Sequence, residues 1–563
     1  QFFVFCHGLL QLSQLLVSGY LKSSISTIER RYGLSSQTSG LLASFNEVGN
    51  TLLIVFISYF GSRVHRPRFI GCGAILVSLA GFLMSLPHFI TGPYEYDQSI
   101  ASRKERKEKT TLCYLPRSCH EAPANLLETS TEQLFLWLIR ERAQLVHSAA
   151  ATKGRLNRNC KVPLCSFSSA GILFSVTVIG PGVAFMLGSA MLRFYVDIDK
   201  VTRDEVQLTN KDPRWVGAWW LGFLVAASLV ALSAVPYFFF PREMPEEVGE
   251  VLFLLCLSDF PLVLLRNLRH PVYLLVVLAQ VNLSAMVAGL ATFMGKFLER
   301  QFSLTASLAN MIIGAVNIPG AMVGIVVGGA ILKRFQMSLR QCSAMCVLGM
   351  FLCLLMAFPL LFLGCPTQKV AGVTYSESSE FGHHSLECNL QCNCPEKAFN
   401  PICGSNDVEY ISPCSAGCRV VNINEDNNSV LNYTNCSCIS ENGLSGSAKP
   451  GTCGTGCSHL FLPFVVLSCL AGILASTSHT PSFMLILRSI QPEDKSFAVG
   501  IQFMLLRVLA WMPGPVLYGS AIDTTCILWE KKCDRKAACR YYDNNLFRQR
   551  YLGLQFFFEV GAF

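Results

Sequence analysis

The chain has 563 residues, 51% of them hydrophobic and only 15% charged, with a mean hydropathy of +0.41. Soluble domains carry about 25% charged residues, so this composition belongs to a multi-span membrane protein rather than to a soluble enzyme. The net charge of +8 is modest and no dense basic stretch alternates with aromatics, which argues against nucleic acid as a partner.

In chain order the apolar runs lie at 2–24, 38–60, 69–90, 168–194, 215–240, 271–293, 304–332, 342–364, 459–487 and 496–520, and a cut-off run closes the chain at 551–563. Each main run has the roughly 20 residues that a membrane helix needs. None alternates as the strands of a membrane barrel would. The fold class is therefore all-α. The sequence opens inside an apolar run without an initiator Met, so a missing natural N-terminus is expected, and that run does not read as a cleaved signal peptide.

The cysteines set the orientation. Ten of the 25 lie in one polar loop: Cys388, Cys392, Cys394, Cys403, Cys414, Cys418, Cys436, Cys438, Cys453 and Cys457. The same loop holds N-x-S/T sequons at Asn427, Asn432 and Asn435. An even cysteine count beside sequons indicates an oxidised, glycosylated, extracellular segment, with the ten cysteines paired among themselves as five disulfides. A zinc site is the rival, but the spacing does not repeat as CxxC pairs, so no metal is expected. The spacing from Cys394 to Cys436 resembles a Kazal-type module. A tethered loop of this size needs covalent staples, so a structural role is expected ahead of protease inhibition.

With that loop outside, the basic segments "LKRFQMSLR" (332–340), "RNLRH" (266–270) and "GSRVHRPR" (61–68) all fall on the cytoplasmic side, as the positive-inside rule requires. The organisation read from this is an N-terminal membrane half at 1–240, a cytoplasmic linker at 241–270, the first part of a C-terminal half at 271–364, the disulfide domain at 365–458 and the rest of the C-terminal half at 459–563. Parity leaves one crossing unaccounted for. Residue 91 is outside and residue 167 is inside, yet the only apolar run between them is "LFLWLI" (134–139), followed at once by "RER" (140–142). Six helical residues cover about 9 Å of an approximately 30 Å core. The expectation is eleven helices, with 131–165 an aberrant replacement for the fourth, and a chain that as written does not necessarily transport.

The segment "KDPRWVGAWWLGFL" (211–224) resembles the signature of the organic anion transporting polypeptides, the solute carrier organic anion family, with Asp212, Arg214, Trp215, Gly217, Trp219 and Trp220 at its fixed positions. "LKSSISTIERRYGLSS" (21–36), "SFNEVGN" (44–50), "SHTPSFMLILR" (478–488) and "SAIDTTC" (520–526) also match, most closely the second subfamily. The resemblance implies a major facilitator fold of two six-helix halves. It also implies sodium-independent secondary transport of amphipathic organic anions by alternating access: steroid sulphates and conjugates, prostaglandin-like and bile-acid-like anions. Anion exchange and stimulation by external acid go with it, as does a multi-pass place in the plasma membrane. "GPG" (180–182) and "PGP" (513–515) interrupt corresponding helices of the two halves, a pattern that points to a substrate path between them.

Ionisable residues at membrane depth carry the candidate site. Arg507 sits mid-span in "FMLLRVLA", where an Arg costs about 3 kcal/mol on insertion scales and therefore faces a cavity or a partner. Glu47 is the acidic neighbour that could pair with it. Lys22 lies near the end of its helix, and the family places its counterpart beside the anion path; Arg30 and Arg31 read as interfacial charges. His88 and His479 are candidates for proton linkage. The resemblance puts a His at the position of His88 close to the Arg matching Arg507, a pair suited to bicarbonate or proton coupling. No P-loop, HExxH or GxSxG motif occurs, so neither ATP drive nor an enzyme activity is indicated and no cofactor is expected. The second class of function is a non-transporting membrane protein or inactive truncated variant that displays the Kazal-like domain.

Overall fold

The computed structural model describes residues 2–61, 66–94, 179–240 without 203–205, 207 and 211, and 266–563 without 267–268, 375–387, 389–391, 393, 395–398, 425–429, 442–443, 454–455, 491–494 and 533–534. The expected aberrant segment 131–165, most of the linker 241–270 and Asn427 lie outside the described residues.

Helices dominate, because lipid offers the backbone no water and each span must close its own hydrogen bonds. Helices α1 (Phe2–Tyr32), α2 (Ser36–Gly61) and α3 (Arg66–Ile90) are followed by a shorter α4 (Ile179–Met191) and by α5 (Trp219–Ala234). The C-terminal half begins with α6 (Pro271–Gln301), α7 (Ala306–Phe335) and α8 (Leu339–Ala357). It resumes after the cysteine-rich loop with α9 (Phe461–Ser489), then α10, which runs from Lys495–Leu506 through Arg507–Trp511 into Pro513–Asp523, and α11 (Asn544–Ala562). Among the described residues seven of these helices, α3 and α5 to α10, are long and apolar enough to cross a membrane by length and composition.

The bounds depart from the sequence reading where polar residues are satisfied inside the protein. Helix α1 continues to Tyr32 rather than ending near residue 24, because Ser26, Glu29 and Arg30 on its last turns bond to other helices. Helix α11 begins at Asn544 rather than 551, where the Asp543 carboxylate caps it by accepting from the backbone N–H groups of Asn545 (3.0 Å) and Leu546 (3.1 Å). The expected break at 513–515 takes the form of a π-helical turn over Arg507–Trp511, after which Pro513 opens the next segment. A second π-turn, Ile313–Asn317, widens α7. Such turns often mark functional positions.

Between α8 and α9 the chain builds a five-stranded antiparallel sheet in the order β2-β1-β5-β4-β3, from β1 (Ile402–Gly404), β2 (Glu409–Tyr410), β3 (Cys418–Ile423), β4 (Val430–Glu441) and β5 (Leu444–Pro450). Its core is small, centred on Ile402, Tyr410, Tyr433 and Ile439. Disulfides Cys388–Cys438, Cys394–Cys414, Cys403–Cys453 and Cys418–Cys436 hold it together. The pairing differs from the expectation at two positions. Cys457 pairs with Cys365, outside the set of ten, and Cys392 has no disulfide partner among the described residues. The reason is topological: Cys365 and Cys457 stand where the domain leaves and re-enters the helices, so their bond closes its base. A two-stranded hairpin of β6 (Cys526–Lys532) and β7 (Arg535–Tyr542), with its own disulfide Cys526–Cys539, precedes α11 and was not expected from sequence. Tyr541 Oη on β7 donates to Glu409 Oε1 on β2 at 2.6 Å, and Thr367 Oγ1 donates to Asp543 Oδ1 at 2.9 Å, so the sheet is docked on the helical body.

Candidate functional site

The π-turn of α10 gathers charges from both halves. Arg507, its first residue, is 9% exposed, and Glu47 on α2 is the carboxylate that interacts with it electrostatically. Trp511, its last, lies under Lys22 of α1, with the ammonium 4.7 Å from the ring centroid, a cation–π geometry. Lys22, Glu47 and Arg507 therefore meet at one turn. Beside them, Gln502 of α10 donates to Gln280 of α6, which donates to Ser482 Oγ of α9 at 3.0 Å. His479, at the start of the second segment of α9, is exposed.

Toward the disulfide-bearing end, the two halves are tied together by a layer of polar contacts. Lys296 Nζ of α6 donates to Glu29 Oε2 of α1 and to Ser36 Oγ of α2 (2.7 Å). Arg30 of α1 pairs with Glu299 of α6 at 2.9 Å, and Ser26 donates to the other oxygen of Glu299 at 2.6 Å. Asp523, at the end of α10, accepts from the backbone N–H groups of Ser36 (3.0 Å) and Gln37 (2.8 Å) at the N-terminus of α2. Asn310 of α7 donates to Ser23 O at 2.8 Å. Glu29 and Lys296 are 3% and 6% exposed, so each charge depends on the other. Below this layer α2 and α10 touch backbone to backbone: a Cβ at Gly40 would fall well inside contact distance of Pro515 O. The halves are thus closed at this end.

Sequence reasoning missed this closure. Arg30 was read as an interfacial charge, and Glu29, Lys296, Glu299 and Asp523 were not singled out. A signal was available: adjacent Glu29 and Arg30 face Lys296 and Glu299, one turn apart, and the two sets are complementary in sign.

The tryptophan segment is a structural clasp. Asp212 and Arg214 form a two-pronged ion pair, Nε to Oδ1 at 3.0 Å and Nη2 to Oδ2 at 2.8 Å. Trp215 Nε1 donates to Leu192 O (3.3 Å) and Trp220 Nε1 to Val196 O (2.8 Å), while Trp219 packs into the core with Phe223. Gly217 pairs with Tyr195 in a β-bridge, and a Cβ there would stand 2.6 Å from Leu192 O, so only glycine fits. His88 stacks on Trp220 with centroids 4.5 Å apart, and its Nε2 lies 3.0 Å from Asp199 Oδ1. Phe89 packs edge-on against the same ring, with centroids 5.1 Å apart. His88, Asp197 and Asp199 are the group among the described residues close enough to share a metal ion, with ligand atoms within 4.8 Å of one another. Lys200 Nζ, 3.7 Å from Asp197 Oδ1, already brings positive charge there.

Residues 2–547 match the organic anion transporter polypeptide (OATP) family. The chain belongs to that family. It is 51% identical over 628 residues to solute carrier organic anion transporter family member 2B1 of Rattus norvegicus, covering all of this chain and 89% of that protein. The Homo sapiens counterpart is 51% identical over 620 residues, covering 100% and 86%. Member 1C1 of Homo sapiens is 32% identical over 604 residues, covering 96% and 83%. The fold is similar to a bacterial homologue of the human lysosomal transporter Spinster, with a TM-score of 0.53 at 11% identity over 98% of this chain and 93% of that one. It is likewise similar to the nucleoside transporter NupG, with a TM-score of 0.51 at 9% identity over 99% and 97%. This OATP family chain is thus a multi-pass helical membrane protein of the transporter fold, as its sequence implied.

Proposed function

We propose that this chain is a sodium-independent secondary transporter that takes up amphipathic organic anions by alternating access. Steroid sulphates and conjugates are the leading substrates, with prostaglandin-like and bile-acid-like anions of the same chemistry. The observation that carries the reading is the meeting of Lys22, from one half, with the Arg507 turn, from the other. A guanidinium fork matches a sulphate or carboxylate edge, and burial strengthens its attraction for an anion. Glu47 supplies the negative charge at Arg507 that a substrate anion replaces. The aromatic Trp511 offers a face to the apolar body.

In this reading residues 365–458 form an extracellular Kazal-like domain of a plasma-membrane protein, glycosylated at Asn427, Asn432 and Asn435. The closed layer of Glu29, Lys296, Arg30, Glu299 and Asp523 is then the extracellular gate, and uptake requires it to open and re-form. An intracellular anion such as bicarbonate, or protons, supplies the gradient, with external acid stimulating uptake through His88 and His479.

The test is uptake of a labelled steroid sulphate by reconstituted full-length chain. Arg507→Ala should abolish uptake with the protein still folded and inserted, and Arg507→Lys should recover part of it. No uptake by the unaltered chain would leave the alternative, a membrane protein that displays its disulfide domain without transporting. Normal uptake by Arg507→Ala would remove Arg507 from the substrate path.

A further inference from the structure

Directly outside the closed layer lies a cleft of about 1120 Å³, open solvent included. Its walls come from four parts of the chain: the signature segment with Trp215, the end of α6 with Arg300, the sheet domain with Phe399, and the β7 strand with Tyr541. Arg30 and Glu299, the gating pair, form part of its lining. A ligand in this cleft would therefore rest against the gate.

The charges lining it are mostly spoken for. Asp212 is held by Arg214, Glu299 by Arg30, and Glu409 accepts from Tyr541. Arg540 pairs with Glu530 at 3.7 Å and lies over the Phe399 ring at 4.9 Å. Arg300 differs. Among the described residues it makes no ion pair; it donates weakly to Arg540 O at 3.5 Å and lies 5.5 Å from the Tyr542 ring centroid. A guanidinium outside any ion pair among the described residues, its charge shared only at longer range with the buried Glu409 carboxyl, beside the Tyr542 ring in an open cleft lined by Trp215, Phe399 and Tyr541, suits an amphipathic anion.

We infer that this cleft is an outer recruitment site for amphipathic organic anions, with Arg300 holding the sulphate or carboxylate and Trp215, Phe399 and Tyr541 covering the apolar body. It rests on the transport reading above and adds a second station to it, before the gate. Such a station raises the local substrate concentration where the gate opens. Its signature is an effect on apparent affinity rather than on maximal rate.

The experiment is photolabelling of the purified full-length chain in lipid nanodiscs with a diazirine-bearing steroid sulphate, with adducts mapped by mass spectrometry. Adducts are expected on the peptides bearing Phe399 and Tyr541. Arg300→Glu should reduce them at least tenfold, Arg300→Gln less, and Arg507→Ala not at all. In uptake, Arg300→Gln should raise KM several-fold at unchanged maximal rate. Adducts confined to α1 and α10 around Trp511 would overturn the recruitment site while leaving the transport reading standing. Cleft adducts that persist in Arg300→Glu would also overturn it. Cleft adducts sensitive to Arg300, in a chain that shows no uptake, would uphold the site and sink the transport reading.

Discussion

Glu409 offers a sharp test of how the sheet domain sits on the helices. Its carboxyl is fully buried, and Oε1 accepts from Tyr541 Oη. Burial pushes its pKa up to about 7 from an ordinary 4.5, an effect that the Tyr541 hydroxyl, the Cys453 backbone and the Arg300 charge only partly offset. The raised value means that the docked state holds a proton that the undocked state releases between those two pH values. Docking is therefore strongest below about 4.5 and weakens as pH rises through about 7. The full difference, about 2.5 pKa units at 1.36 kcal/mol each, is on the order of 3 kcal/mol, of which about 2 kcal/mol falls between pH 5.5 and pH 8. Hydrogen exchange on peptides covering 399–411 and 535–542, corrected for intrinsic rates, should show an opening free energy larger at pH 5.5 by about that amount. Glu409→Gln keeps an oxygen for Tyr541 and removes the titration, so its profile should be flat. Protection that grows from pH 5.5 to pH 8, or a Gln variant with the wild-type slope, would refute the reasoning.

The closure and the staples give three further expectations. Glu29→Gln and Lys296→Met should each destabilise the chain by roughly 3–5 kcal/mol by leaving one buried charge, and the double variant should recover most of that, read as a thermal double-mutant cycle; simple additivity would show that the pair does not act as a unit. Gly40→Leu cannot keep α2 against Pro515, so reagents applied from the sheet-domain side should reach a cysteine placed at Ser26, and an unreactive cysteine would show that the halves stay closed. Replacing Cys365 and Cys457 by Ala opens a loop of 92 residues, which chain entropy makes worth about 4–5 kcal/mol, so the sheet domain should become the first part cleaved in limited proteolysis.

The helical architecture was legible because a bilayer imposes its thickness on every span, and runs such as 271–293 and 342–364 carry that length on their face. Turns within spans were less so. The Pro-Gly-Pro at 513–515 announced an interruption of α10 but not that the irregular turn would lie over Arg507–Trp511, because a π-turn is set by what surrounds the helix and not by its own propensities. Cysteine density flagged the sheet domain, yet the bond at its base escaped because Cys365 stands well before the cluster. The β6–β7 hairpin carries Lys531, Lys532, Lys536 and Arg540 among its apolar residues, so a search for apolar runs passed over it. Charge alone also misled at Arg30, where a helix-end arginine read as interfacial pairs with Glu299 some 269 residues away.

The same distances explain why the candidate site divides into two levels. Arg507 was legible because an arginine in mid-span is costly wherever it points. The closed layer was not, since Glu29, Lys296 and Asp523 lie near helix ends, where charge is ordinary. Their meaning comes only from the pairing, and the pairing is between halves. A helix that holds charge at both levels couples them mechanically. Helix α1 carries Lys22 at the π-turn and Glu29 and Arg30 in the closed layer, about two helical turns further on. Helix α2 carries Glu47 toward the inner site and, at Gly40, touches α10 just beyond the Arg507 turn. If an anion displaces Glu47 from Arg507, as proposed, it acts on the very helix whose N-terminus Asp523 caps, so the charge at the Arg507 turn and the closed layer are linked through the same two helices.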